Sequence, residues 1–178
     1  MAHAGQELDN PVTGERIIFR ETSADTGGEL FRFELFMKPG GFVPAEHLHP
    51  NQEERFEVIS GRPRFSLAGD VRDAGDGDVL VAPPDMEHVF WNPGAESAHL
   101  IIELRPALAS ERLFETIWGL ASEGKLASNG LPRNPFQLAV IGEEFREEVR
   151  PVGPVLRALD LLTPAAASVG RLLGYRIR

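Results

Sequence analysis

Residues 41–61 read GFVPAEHLHPNQEERFEVISG, and residues 77–92 read GDVLVAPPDMEHVFWN. In the first stretch His47 and His49 stand two apart. On an extended chain, positions i and i+2 face the same way, so these imidazoles form a ready pair of metal ligands. Pro50-Asn51 is turn-like, and a chain that reverses there brings a carboxylate back beside the rings. Glu54 is the carboxylate in view, with Glu53 its rival. In the second stretch His88 opens an apolar run after Pro83-Pro84-Asp85. Three neutral imidazoles and a carboxylate make a mixed N/O set. It suits one divalent transition metal (Fe, Mn, Zn, Ni, Co or Cu) and suits Ca or Mg poorly. Four protein ligands on an octahedral ion leave two positions open, which makes chemistry possible at the ion.

Around these stretches the text is strand-like from Arg16 to about Leu104. Short apolar runs such as IIFRE, LFRFELFM, RFEVIS, DVLVAP and AHLIIEL are separated by Gly, Pro, Asp and Asn. That rhythm indicates an all-β sandwich or barrel. Phe31, Phe33 and Leu35 alternate with Arg32 and Glu34, the period of a strand with one buried face. Phe56 and Phe90 share strand parity with Glu54 and His88, so they either line the same pocket or fill the core. His99, in AHLIIEL, is a further pocket-lining candidate, with a strand-surface histidine as the plainer reading.

The pattern changes after Pro106. Ser110 is placed to cap a helix over about 111–123, with Leu113, Ile117 and Leu120 on one face. A loop at 128–135 precedes a second helix over about 136–149. Two further amphipathic segments are expected at 155–162 and 165–173. Charge changes at the same place. The first 104 residues carry 8 basic and 19 acidic side chains, and the remainder carries 10 and 8. The expected organisation is therefore a barrel with N-terminal strands over residues 1–105, and a helical extension over 106–178 packed on it.

Composition narrows the function classes. A net charge of −9 argues against a nucleic-acid partner, whose binding footprint is basic. There is no cysteine, so no thiolate ligand, cysteine nucleophile or disulfide enters, which fits a reducing cytoplasm. The first residues lack a basic start followed by an apolar stretch, and no long uncharged apolar run exists. The expectation is a cytoplasmic chain without signal peptide or membrane span. Contact of the arginine-containing C-terminal stretch with a membrane surface is not expected.

Gly41-x5-His47-x-His49-x4-Glu54-x6-Gly61 resembles the first motif of the cupin superfamily, and Gly77-x5-Pro83-x-Asp85-x2-His88-x3-Asn92 resembles the second. The one departure is Asp85, where glycine is usual. Asp is among the better non-glycine residues for a left-handed turn position, so the turn is expected to survive. The resemblance covers about residues 30–104. It implies a mainly β fold, a cupin-type double-stranded β-helix or jelly roll, followed here by a C-terminal α-helical extension. It also implies metal ligation by His47, His49, Glu54 and His88, and a small-molecule substrate or ligand. A homodimer is compatible with it. A mononuclear metal-dependent dioxygenase is the first reaction expected by analogy. The alternatives are a metal-dependent isomerase or decarboxylase, and a non-catalytic ligand-binding or sensing module.

Overall fold

The computed structural model describes residues 2–153 and 161–177. Two antiparallel sheets make up most of it. The larger runs β1 (Glu7–Asn10), β2 (Glu15–Glu21), β3 (Phe31–Met37), β10 (Ala98–Arg105), β5 (Glu53–Ser60) and β8 (Val79–Ala82) in spatial order. The smaller runs β11 (Arg150–Pro151), β4 (His47–Leu48), β9 (His88–Trp91), β6 (Arg64–Leu67) and β7 (Asp70–Asp73). After the β1–β2–β3 meander the chain alternates between the sheets, apart from the β6–β7 pair, so that β10 returns to lie between β3 and β5 and β9 between β4 and β6, as in a jelly roll.

Side-chain alternation fills the space between the sheets. In β3, Phe31, Phe33, Leu35 and Met37 are buried, while the residues between them are half-exposed. In β5 the buried set is Glu54, Phe56 and Val58, and in β9 it is His88 and Phe90. Phe56 from the larger sheet packs on Phe65 and Phe90 from the smaller, with ring centroids 5.1 and 5.2 Å apart. Edge-on and offset contacts of this kind add to the area that aromatic rings bury. Gly61 ends β5 at φ 92°, where a Cβ would come within 2.8 Å of the Ala98 backbone, so only glycine lets the chain leave β5 beside β10.

Past Arg105 the chain leaves the sheet and turns under the fully buried Gln52, whose Nε2 donates to the carbonyls of Pro106 and Ala107. Helix α2 (Ser110–Ser122) lays Phe114 against Phe31 and Phe33, at 5.8 and 4.9 Å, and buries Trp118. Ser110 does not cap it. The hydroxyl instead accepts from Gln52 Nε2, and the N-cap is Ala109. Helix α3 (Pro135–Glu144) is capped by Asn134, whose side chain accepts from the backbone of Phe136 and Gln137. It stops five residues short of the expected end, because Phe145 sinks into a second apolar cluster with Leu120, Leu126 and Ile141 and the chain turns there. That turn feeds β11, a strand the sequence did not suggest. The expected helix over 165–173 is α4 (Thr163–Leu172). Most of the segment expected over 155–162 lies outside the described residues. Among those described, no helix is long and apolar enough to cross a membrane. A short helix, α1 (Ser23–Thr26), closed by a Thr22–Asp25 capping box, links β2 to β3.

One buried acid sits far from the histidines. In the β1–β2 hairpin Asn10 Oδ1 accepts from the backbone of Val12 and Thr13, and the Thr13 hydroxyl donates to Glu15 Oε2 at 2.5 Å. Burial pushes the Glu15 carboxyl up to about 7, against the opposing pull of the Thr13 bond. The unfolded chain ionises near the ordinary value and the folded chain only near 7. Stability is therefore lost as pH rises between those values and levels off above them. The shift corresponds to about 3 kcal/mol. The expected result is that Glu15→Gln, which cannot ionise, becomes more stable relative to wild type across that window. Urea denaturation of both proteins at several pH values tests this, and a flat difference would show that Glu15 ionises freely in the fold.

Candidate metal centre

Strand pairing creates the site. His47 in β4 lies directly opposite His88 in β9, and their rings are 4.4 Å apart. His49 follows His47 on the same face, at 5.1 Å from the His47 ring and 5.2 Å from the His88 ring. Glu54 reaches across from β5 in the other sheet, its Oε2 lying 3.0 Å from His49 Nε2 and 2.8 Å from His88 Nε2. One ligand atom from each of the four lies within 4.8 Å of every other. Glu53, of opposite parity in β5, is half-exposed and belongs to the other face.

The outer nitrogens set the chemistry of the inner ones. His47 Nδ1 lies 2.9 Å from the Ala45 carbonyl, His88 Nδ1 2.9 Å from the Met86 carbonyl, and His49 Nδ1 2.6 Å from the Glu148 carbonyl. A carbonyl only accepts, so each Nδ1 carries a hydrogen and donates. In the neutral ring Nε2 is then a bare lone pair, and two of these lone pairs face one carboxylate oxygen. A cation must lie between such groups: a proton on a ring, or a metal ion shared by all four. The donor set thus fits a divalent transition ion in ligand type, in tautomer and in convergence.

The electrostatics agree. Burial, and then the neighbouring His88 and His49, hold the His47 imidazole down to about 3, so it stays neutral. Burial opposes ionisation of Glu54, but the charge and hydrogen bonds of His49 and His88 outweigh it and hold the carboxyl well below the usual range. His88 is also opposed by burial, yet the Glu54 hydrogen bond and charge raise it above an ordinary imidazole. A neutral imidazole and an ionised carboxylate are the forms that bind metal, and a metal would compete with any proton shared between His88 and Glu54.

Asp85 takes φ 64°, so the turn that presents His88 keeps the left-handed conformation despite the missing glycine. Its backbone N–H donates to the His49 carbonyl at 2.9 Å, tying the two histidine segments together. The Phe56 ring lies 5.9 Å from the His88 ring, and Phe90 stacks behind it on Phe65 at 5.2 Å. Both phenylalanines belong to the central apolar cluster and form a floor beneath the histidines. His99 is not brought to this place. It lies on the opposite face of β10 from the buried Leu100, stacked on Phe36 at 4.3 Å and 3.0 Å from Glu34. The sequence reading also missed the three carbonyls, since backbone acceptors leave no mark on residue type.

The model of the Cupin domain matches residues 33–103. A curated relative, polyketide synthase CurC of Streptomyces cyaneus, is 37% identical over 70 residues, which are 39% of this chain and 45% of that protein. The chain therefore spans less than half the length of that relative. Among solved structures, KdgF from Halomonas sp. is 19% identical with a TM-score of 0.52, covering 60% of this chain and 92% of its own. A predicted oxalate decarboxylase from Thermotoga maritima is 16% identical with a TM-score of 0.52, covering 58% and 92%. An RmlC-like cupin from Shewanella frigidimarina is 18% identical with a TM-score of 0.50, covering 62% and 96%. At such identities the likeness is one of fold. Motif spacing and sheet topology agree with the family match, and residues 33–103 carry the segment that matches the Cupin domain.

Proposed function

We propose that this chain is a metal-dependent enzyme acting on a small organic substrate, with one divalent transition ion held by His47, His49, Glu54 and His88. The observation that carries the reading is the convergence of three imidazole nitrogens and a carboxylate oxygen within 4.8 Å, with Nδ1 of all three rings turned to a backbone carbonyl. When bound, such an ion supplies Lewis-acid polarisation of a substrate oxygen and, if redox-active, electron transfer with oxygen. The chain's own part is to fix the ligands and to exclude water from below through the Phe56–Phe65–Phe90 floor. A dioxygenase reaction is the first to test, with isomerisation and decarboxylation after it. The curated relative is named a polyketide synthase, which puts polyketide-type compounds first among substrates to screen.

A second reading, a non-catalytic ligand-binding module, draws on burial. His49, Glu54 and His88 are 7%, 5% and 1% exposed, so a metal among them would be approached chiefly past His47. Elemental analysis of protein purified without added metal or chelating resin tests the proposal, and about one equivalent of a transition metal per chain is expected. A protein that retains none of Mn, Fe, Co, Ni, Cu or Zn, even after incubation with each, overturns it. Solvent-proton relaxation by the Mn-loaded protein then separates the readings. Fast water exchange at the ion favours the enzyme, and its absence favours the module.

A further inference from the structure

We infer that Glu148, far outside the matched cupin segment, is a positioning residue of the metal centre and sets the tautomer of His49. The inference rests on the metal reading above. His47 and His88 each give their Nδ1 proton to a carbonyl two residues earlier in their own strand segment. His49 does not. Its acceptor is the carbonyl of Glu148, 99 residues further along the chain and at the shortest distance of the three, 2.6 Å. The barrel segment thus orients two of its imidazoles by itself and borrows the acceptor for the third from the C-terminal extension.

The extension holds that carbonyl in place from several sides. Glu148 is 6% exposed, and its Oε1 accepts from the Ala109 backbone N–H at the start of α2. A carboxylate at that end of a helix satisfies an orphan donor and meets the positive end of the helix dipole. The Glu148 and Val149 N–H groups both donate to the carbonyl of Phe145, a fully buried residue of the second apolar cluster. Asn51, between His49 and Glu54, donates from Nδ2 to the Glu147 carbonyl at 3.1 Å and to Glu147 Oε2 at 2.7 Å. Beyond Glu148, β11 pairs with β4, setting Arg150 opposite Leu48 and Pro151 opposite His47, and Val152 N–H donates to the Glu46 carbonyl. The strap from Glu147 to Val152 therefore runs along the histidine strand, and its anchors lead back to α2 and the helical core.

The chemical consequence is specific. With the Glu148 carbonyl in place, the His49 proton stays on Nδ1 and Nε2 remains available for the ion. If the carbonyl drifts, the proton can sit on Nε2, where Glu54 Oε2 at 3.0 Å accepts it, and His49 is lost as a ligand. Partners of this kind are worth about 10- to 100-fold in metal affinity.

Three variants test this: Glu148→Ala, which removes the anchor on Ala109; Glu148→Gln, which keeps an oxygen there; and Asn51→Ala, at an exposed position on the opposite side. Two quantities are read on each. Long-range proton–nitrogen correlation of the metal-free protein in mildly alkaline solution gives the His49 tautomer. Competition with a chelator gives the Zn affinity. In wild type, His49 is expected in the Nδ1–H form. Glu148→Ala is expected to populate the Nε2–H form and to bind Zn about 10- to 100-fold more weakly, Asn51→Ala to move the same way by less, and Glu148→Gln to stay near wild type. The inference is overturned if Glu148→Ala keeps both the wild-type tautomer and the wild-type affinity. Should Glu148→Ala fail to fold, Asn51→Ala decides on the same two readouts. If wild type binds neither Zn nor any of Mn, Fe, Co, Ni and Cu, the metal reading fails, while the tautomer comparison still judges the strap.

Discussion

The His88→Ala protein is expected to fold and to lose its metal. His88 is 1% exposed and lies opposite His47 in the β4–β9 pair, so it closes the ligand set from the second motif. Alanine leaves His47, His49 and Glu54 but no donor on that side. An outer partner of a metal ligand already commands about 10- to 100-fold in affinity, so the loss of a ligand itself should exceed ~100-fold. The fold should survive, because the imidazole is a small part of a core built on Phe31, Phe33, Phe56, Phe65 and Phe90. Glu54 also keeps His49 as a partner. The measurement is metal stoichiometry, paired with the rise in melting temperature on adding Zn. A ligand that binds only the folded state raises it in wild type, and the rise should vanish in the variant. His99→Ala is the control, since that ring lies on the opposite face of β10 with Glu34 and Phe36, and it should bind metal as wild type does. A His88→Ala protein that keeps one tightly held equivalent would mean that His88 is a structural imidazole and that the four residues do not share an ion.

Much of this centre could be read before any coordinates. The His-x-His spacing needs only the two-residue period of a strand. The choice of Glu54 over Glu53 rests on its spacing to Gly61 within the motif, and the period of β5 agrees with it, since Glu54, Phe56 and Val58 share the buried face. Asp85 was legible as a turn position because few residues tolerate a positive φ. His99 was ambiguous for a physical reason. In AHLIIEL both faces carry apolar residues, Leu100 and Ile102 on one and Ile101 on the other, so parity alone did not say which face was inside.

The C-terminal extension was less legible. The run 136–149 keeps helical periodicity past Glu144, but burying Phe145 and pairing β11 with β4 outweigh the local preference. A two-residue strand whose partner lies about a hundred positions away leaves no period to detect. Ser110 reads as a cap because its type is right, yet its hydroxyl serves Gln52 from another part of the chain. These misses share one cause. Each contact is made between backbone groups or between residues far apart in sequence, and residue type at one end does not report its partner at the other.

Phe56→Ala is the complementary experiment, with its large effect on stability and not on ligation. Phe56 is fully buried, paired with Ile102 on one side and Leu80 on the other, and its ring meets Phe65, Phe90 and His88. Truncation removes the contact that joins the two sheets directly beneath the histidines. Phenylalanine-to-alanine changes in such cores cost about 3–5 kcal/mol, while an exposed position such as Val79 on the outer face of β8 should cost under ~0.5 kcal/mol. Urea denaturation of both variants, in metal-free protein, measures the difference. Metal affinity should fall much less than in His88→Ala, because Phe56 supports the His88 ring without touching the ion. The two roles open to Phe56, barrel core and pocket wall, differ in this readout. A wall residue truncated to alanine enlarges a solvent-accessible space and leaves stability nearly unchanged. A core residue truncated to alanine leaves a void that the surrounding rings can only partly fill. A loss below ~1 kcal/mol would therefore place Phe56 on the wall and the metal above an open chamber. The larger loss would make the aromatic floor the part of the barrel that holds the histidine strand rigid against Glu54.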